Sequence, residues 1–294
     1  GGRVTNEGAI TVGATGTYGQ TRSGAPVPGI ATTISTGSFT NAGRTVINGG
    51  TFTNHGTVVN SGTWQIAPNG TGTFVNQGST MNTGTFEVAA RGQVTGTGSY
   101  AQTAAAAQTI VNGTFAHNVA LQAGALSGVG TITGTVTNTG GVVQPGSLVQ
   151  PGVLTLTNYV QGPSGRLDLK LGGLLAGSHY DVLRVTGSGI FGGSLSLRLI
   201  NGFTPGLGHR FDLLTCSLGC SGSNGGSLFS GGLLLPSLAS GLSWGGELTN
   251  GGTVFSYTVI ASAASAPEPG TLLLVGSGFA GLVAWKQRRR ERAV

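Results

Sequence analysis

Residues 48–65 read Asn48-Gly-Gly-Thr-Phe-Thr, Asn54-His-Gly-Thr-Val-Val, Asn60-Ser-Gly-Thr-Trp-Gln. The unit returns at Asn76-Gln-Gly-Ser-Thr-Met and Asn82-Thr-Gly-Thr-Phe-Glu. It is Asn-x-Gly-(Thr/Ser)-x-x, with a six-residue step. Asn and Gly tolerate left-handed backbone angles, so Asn-x-Gly is expected to turn the chain. The three residues after it alternate polar and apolar, the pattern of a short strand. Short strands and tight turns at constant spacing predict a solenoid in which about three units close one rung. Phe52, Val58, Trp64, Phe74 and Phe86 are the expected inward residues. The Thr and Asn side chains are expected to face water or to form ladders.

Working outward, weaker copies follow at Asn112-Gly-Thr-Phe and Gly130-Thr-Ile-Thr-Gly-Thr-Val-Thr-Asn-Thr-Gly. A meander of antiparallel sheets is the alternative to a solenoid. A six-residue period also suits a left-handed β-helix, but such repeats usually start with an aliphatic residue, which is lacking here. The reading is therefore all-β, a right-handed parallel β-helix. Residues 1–40 read as short strands or a frayed, incomplete edge, interrupted by Pro26 and Pro28. Ala101 to Gln108, with four consecutive alanines, reads as a helical turn or a loop insertion.

Composition agrees. Glycine supplies 57 of 294 residues, against a usual share of about 7%. No Gly-X-Y period is present, which excludes collagen. The net charge of +6 misleads, because the last nine residues hold five Lys/Arg and one Glu. The remaining 285 carry nine basic and seven acidic residues. A nearly neutral body has no electrostatic footprint for nucleic acid.

A second ordered series begins at Val142-Val-Gln-Pro-Gly and Gln150-Pro-Gly-Val-Leu-Thr-Leu. It continues through Leu167-Asp-Leu-Lys-Leu, Tyr180-Asp-Val-Leu-Arg-Val-Thr-Gly, Gly192-Gly-Ser-Leu-Ser-Leu-Arg-Leu and Gly202-Phe-Thr-Pro-Gly-Leu-Gly-His-Arg-Phe-Asp-Leu-Leu-Thr. This succession resembles the closing region of autotransporter-like β-helix passengers. Four residues, Ser147 to Gln150, separate its two Pro-Gly pairs where that pattern usually has two. Leu167, Leu169 and Leu171 alternate with Asp168 and Lys170, and Leu195, Leu197 and Leu199 with Ser196 and Arg198. Each reads as a strand with one buried and one solvated face. From Cys220 to Gly246 the pattern is that of a loop. Thr253 to Ile260 is the last clear strand.

The chain ends in Pro267-Glu268-Pro269, an uncharged run from Gly270 to Trp285, and the basic cluster Lys286, Arg288, Arg289, Arg290 and Arg292. Proline stiffens the tripeptide. The run reads as one C-terminal transmembrane helix with its positive end in the cytoplasm. This order resembles the PEP-CTERM sorting signal of Gram-negative bacteria. The resemblance implies recognition by exosortase, cutting near the motif, and release to the cell surface or matrix. The basic cluster's implied partner is the anionic inner leaflet, held only transiently. An export-type tail is expected to accompany an export signal, so residue 1 is not expected to be the true start.

The domain reading is thus an N-terminal edge at 1–40, repeats at 41–144, a closing β region at 145–260, a linker at 261–266 and the sorting tail at 267–294. Chemistry is scarce. The segment 41–144 has one acidic residue, Glu87, and two arginines, Arg44 and Arg91. A carboxylate pair for glycan cleavage cannot be built from these. Ser178, His179 and Asp181 look like triad members only superficially, since adjacency in sequence is not triad geometry. His209, Arg210 and Asp212 read as solvated rim charges. Asn69-Gly-Thr and Asn112-Gly-Thr read as turns. Cys216 and Cys220 form a local disulfide in an oxidising compartment, or stay as two free thiols. Two thiols do not make a metal site, and no cofactor is expected. The expectation is an exported, non-enzymatic structural or adhesive protein, with exopolysaccharide as a further partner. A polysaccharide lyase or hydrolase whose site lies upstream is the alternative.

Overall fold

The computed structural model describes residues 3–6, 9–13, 17–21 and 31–262. Successive strands fall in rotation on three parallel ladders. The first ladder holds Ala31–Ser35, Gly50–Asn54, Gly72–Asn76 and Gly92–Thr95. The second holds Ser38–Asn41, Thr57–Asn60, Ser79–Asn82 and Ser99–Gln102. The third holds Arg44–Asn48, Thr63–Ile66, Thr85–Val88 and Gln108–Val111. Chain-adjacent strands lie on different ladders and never pair within these rungs, so the meander is excluded. The arrangement is consistent with a β-helix. Residues 3–21 contribute a rung of the same kind, Arg3–Asn6, Ala9–Val12 and Thr17–Thr21, paired parallel to the next.

The ladders run on across residue 145. Thr131–Asn138 and Val153–Gln161 are long enough to serve the first and second ladders at once. The third ladder reaches ten strands, ending at Gly232–Leu234. Cys220–Gly222, Gly232–Leu234 and Leu242–Thr249 are strands, which corrects the loop expected between Cys220 and Gly246. Glycine and serine obscured them by weakening the alternation. Growth then stops. Val254–Ala261 pairs antiparallel with Arg210–Cys216, and Leu242–Thr249 pairs antiparallel with Val254–Ala261.

Side chains at every second position point inward, as strand geometry demands. In the repeat segment they form an aromatic column. Phe52 is registered on Phe74 and Trp64 on Phe86. Ring centroids are 5.1 Å apart for Phe39–Phe52, 5.2 Å for Phe52–Trp64 and 5.3 Å for Trp64–Phe74. The column continues through Phe86, Tyr100 and Phe115. Phe52, Val58, Trp64, Phe74 and Phe86 are all fully buried. Aromatic pairs at such distances add about 0.5–1.5 kcal/mol each beyond area burial.

The repeat's polar residues act differently from the turn reading. Asn54, Asn60, Asn76 and Asn82 are fully buried at strand ends, and none has positive φ. Asn41 Nδ2 donates to Asn60 Oδ1 at 2.7 Å, and Asn60 Nδ2 to Asn82 Oδ1 at 2.8 Å. Each Nδ2 also reaches a backbone carbonyl at the following strand, Thr63 O for Asn41 and Thr85 O for Asn60. A parallel file runs from Asn54 to Asn76 at 2.9 Å. The amides therefore close the corners from inside. The glycines at the third position of the unit, Gly56, Gly62, Gly78 and Gly84, are not left-handed either. A Cβ on Gly78 would overlap the carbonyl oxygen of Gly56, and one on Gly56 that of Gly37. Glycine is required there because one rung rests on the backbone of the next.

Ala104 to Ala107 form a turn closed by the Ala107 N–H on Ala104 O at 3.0 Å, a loop insertion between strands. Among the described residues no helix is long and apolar enough to cross a membrane. The transmembrane helix expected at 270–285 lies outside the described residues.

Candidate functional site

Pro267, Glu268, Pro269 and the basic residues Lys286, Arg288, Arg289, Arg290 and Arg292 lie outside the described residues. The described chain ends at Ser262, whose N–H donates to Gly241 O at 2.8 Å. Cys216 and Cys220 are disulfide-bonded, with Cα atoms 5.4 Å apart. Both sulfurs are buried under the cap, and the bond closes the bend from the first ladder to the second.

The charged residues of the closing region assemble in a way their alternation did not suggest. Leu167, Leu169 and Leu171 point inward, so Asp168 and Lys170 should face water. Lys170 is instead fully buried, and Asp168 nearly so. After Leu171 the chain makes an excursion over the third ladder and returns at Tyr180, which bridges antiparallel to Leu171. Asp181, which follows that bridge, and the Pro145 carbonyl meet the Lys170 ammonium. Asp168 is shielded by two arginines, with Arg198 Nε at 3.0 Å and an Arg166 terminal nitrogen at 3.8 Å. The expected solvated face is thus corrected to a strand buried on both sides.

Asp181 comes in beneath the excursion, fully buried. Its Oδ2 lies 2.8 Å from Lys170 Nζ and accepts the Lys170 backbone N–H at 2.8 Å. Its Oδ1 accepts the Gly152 N–H at 2.8 Å. Lys170 Nζ donates to Pro145 O at 2.8 Å. One ion pair thereby grips both ends of the segment from Pro145 to Gly152. Burial pushes the Asp181 carboxyl up, to about 6, while Lys170 and the backbone donors pull against it. Its two oxygens are engaged by the Lys170 ammonium and by two backbone N–H donors, the partners of a carboxylate in an ion pair. A buried charge kept this way is costly to leave unpaired.

The triad-like trio does not come together. Ser178 and His179 are exposed on the excursion, whereas the Asp181 carboxylate is occupied inside. Arg210 and Asp212 lie on the cap. Arg210 bonds Asp212 at 2.9 Å, Ser256 at 2.9 Å and the Glu247 carboxylate across three strands. His209 stacks on Phe203 with 6.1 Å between ring centroids.

Sequence reasoning missed the Lys170–Asp181 pair. The available signal was Gly172-Gly173, a break shortly before Asp181 that allows the chain to double back. In comparison with known proteins, a model of the PEP-CTERM protein-sorting motif matches residues 265–290. No curated protein matches the chain. PEP-CTERM motifs are processed by exosortase, and such a motif implies export through the membrane to the cell surface.

Proposed function

We propose, on the premise of the sorting motif at residues 265–290, that this chain is a structural or adhesive protein of the cell surface or extracellular matrix. The single observation that carries this reading is that match. The tail is a transient address. Its uncharged run, residues 270–285, spans the inner membrane of a Gram-negative cell, and the arginine cluster holds it against the anionic cytoplasmic leaflet. Exosortase then cuts near Pro267–Pro269. The body released is a right-handed β-helix rod of the autotransporter-passenger type, with its parallel ladders capped by an antiparallel sheet. Its work is mechanical and interfacial rather than catalytic, in contact with exopolysaccharide. Supporting this, acidic residues in the repeat segment number one, and the buried carboxylate of Asp181 is fully engaged.

The test is mass spectrometry of the protein recovered from the medium and cell surface of an exosortase-positive strain. A C-terminus near Pro267 is expected, with accumulation of the uncut form in an exosortase deletion. Recovery of surface protein that retains Arg292 would sink the reading.

A further inference from the structure

A trough crosses the outer face of the third ladder. Its deeper part, about 550 Å³, lies over Gln108–Val111, Ala125–Gly128 and Val142–Pro145, with the loop from Gly146 to Pro151 as one wall. A second part of about 450 Å³ continues it toward the turn at Ala105–Ala107. The two share Gln108, Ala125 and Gln144.

Gln144 is the decisive residue. Its side chain is 9% exposed, and its amide makes no hydrogen bond among the described residues. The amide is not sealed from solvent, so it opens onto the floor of the trough, where the hydroxyls of a ligand can reach it. The polar groups around it are also unspent. Neither Gln108 nor Ser127 makes a side-chain hydrogen bond among the described residues, and Asn112 uses only its Oδ1, on the Val129 N–H at 3.2 Å. Amides and hydroxyls both donate and accept, which is what a polyhydroxylated ligand requires.

Between them lie apolar patches. Ile110 and Val129 line the deeper part, and Leu148 and Val149 stand out from the wall, 64% and 71% exposed. The wall is held in place. Ser147 Oγ accepts the Gln150 N–H at 3.0 Å, and the Lys170–Asp181 pair grips Pro145 and Gly152 on either side. A preformed cleft with few convergent polar groups and apolar lips is the usual form of a small-ligand site. The deeper part contains no charged residue. Arg166 lines only the far part and faces Asp168.

We propose that this trough binds an extended neutral glycan, its hydroxyls bonded by Gln108, Gln144, Ser127 and Asn112 and its C–H faces packed on Ile110, Val129 and the Leu148–Val149 lip. The proposal deepens the surface-matrix reading by naming the ligand class, and it rests on that reading for the ligand's being at hand. Sugar binding by purified chain does not depend on tail processing, so the two fail separately.

The test uses the full chain in mild detergent, with fluorescein-labelled cellohexaose and laminarihexaose as neutral probes and hexagalacturonate as the acidic one. Saturable binding of a neutral hexaose at or below about 1 mM is expected. Gln144→Ala with Gln108→Ala should weaken it at least tenfold, and Ser127→Trp should abolish it. Each variant is to keep the parent's circular dichroism and melting temperature; Gln144→Glu serves if one does not, and is expected to weaken binding as well. Three results overturn the proposal: no neutral hexaose bound at about 1 mM, hexagalacturonate bound more tightly than either neutral probe, or an affinity unchanged in folded variants.

Discussion

The rungs built from the six-residue repeat and those of the closing region reach the same three-ladder geometry with different materials. In the repeat rungs the interior is an aromatic column, and the corners are closed by buried Asn amides that hand hydrogen bonds from rung to rung. In the closing rungs leucines join fewer aromatics such as Tyr159, Phe191 and Phe211, the connections lengthen, and a buried ion pair fixes the segment from Pro145 to Gly152. The step between registered residues shows the change. It is 22 residues from Asn54 to Asn76 but 28 from Asp168 to Ser196. In the Asn file the step is 19 from Asn41 to Asn60 and 22 from Asn60 to Asn82, and so narrow a spread lets one side chain repeat its contact from rung to rung, so a ladder forms. A variable step breaks the ladder and leaves each rung to settle its own polar groups.

Two substitutions should break this contrast most strongly, one on each side. Trp64→Ala removes the ring that touches Phe39, Phe52, Phe74 and Phe86. It is expected to cost about 3–5 kcal/mol in urea unfolding. Asp181→Asn leaves Lys170 buried without its countercharge and should cost a similar amount, about 3–5 kcal/mol. Replacing both members, Lys170→Met with Asp181→Leu, should recover most of that loss. If the double variant is as unstable as the single one, the pair does more than satisfy itself. The grip of the pair on Pro145 and Gly152 would then account for the loss.

A finer comparison lies within the ladder. Asn60 both accepts from Asn41 and donates to Asn82, whereas Asn41 Oδ1 has no partner. Asn41 is registered on Val12 in the rung before, which has no amide to offer. Asn60→Ala is expected to cost about 2–3 kcal/mol, because it strands neighbours on both sides. Asn41→Ala should cost less by about 1 kcal/mol. Equal losses from the two would show that the amides act singly and not as a ladder. The smallest effect is expected at the cap. Reducing Cys216–Cys220, four residues apart, opens only a short loop and should lower stability by about 2 kcal/mol. Urea midpoints measured with and without dithiothreitol give the value.

The two regions were not equally legible. In the repeat rungs the alternation named the inward residues, because a strand's side chains must alternate and Phe52, Val58, Trp64, Phe74 and Phe86 had no polar competitor. The Asn-x-Gly reading found the corners but gave the wrong reason for them. Asn is there for its amide and Gly for the missing Cβ, and both needs arise only from the rung beneath. In the closing region the same alternation placed Lys170 in water. It could not register that the chain returns beside Leu171 at Tyr180 and brings Asp181 to that lysine. The strands at Gly232–Leu234 and Leu242–Thr249 were hidden for a related reason, since glycine leaves little pattern to read.

By itself the sequence determined the β-class, the inward aromatics and the sorting tail, because each depends on residues close together in the chain. Tertiary structure alone decided which Asn bonds which, why Gly78 tolerates no side chain, and that Lys170 meets Asp181 and Pro145. It also placed Gln144 at the floor of a trough. Those relations join residues 11 to 36 positions apart, and only stacked rungs and the return of the chain at Tyr180 make them neighbours.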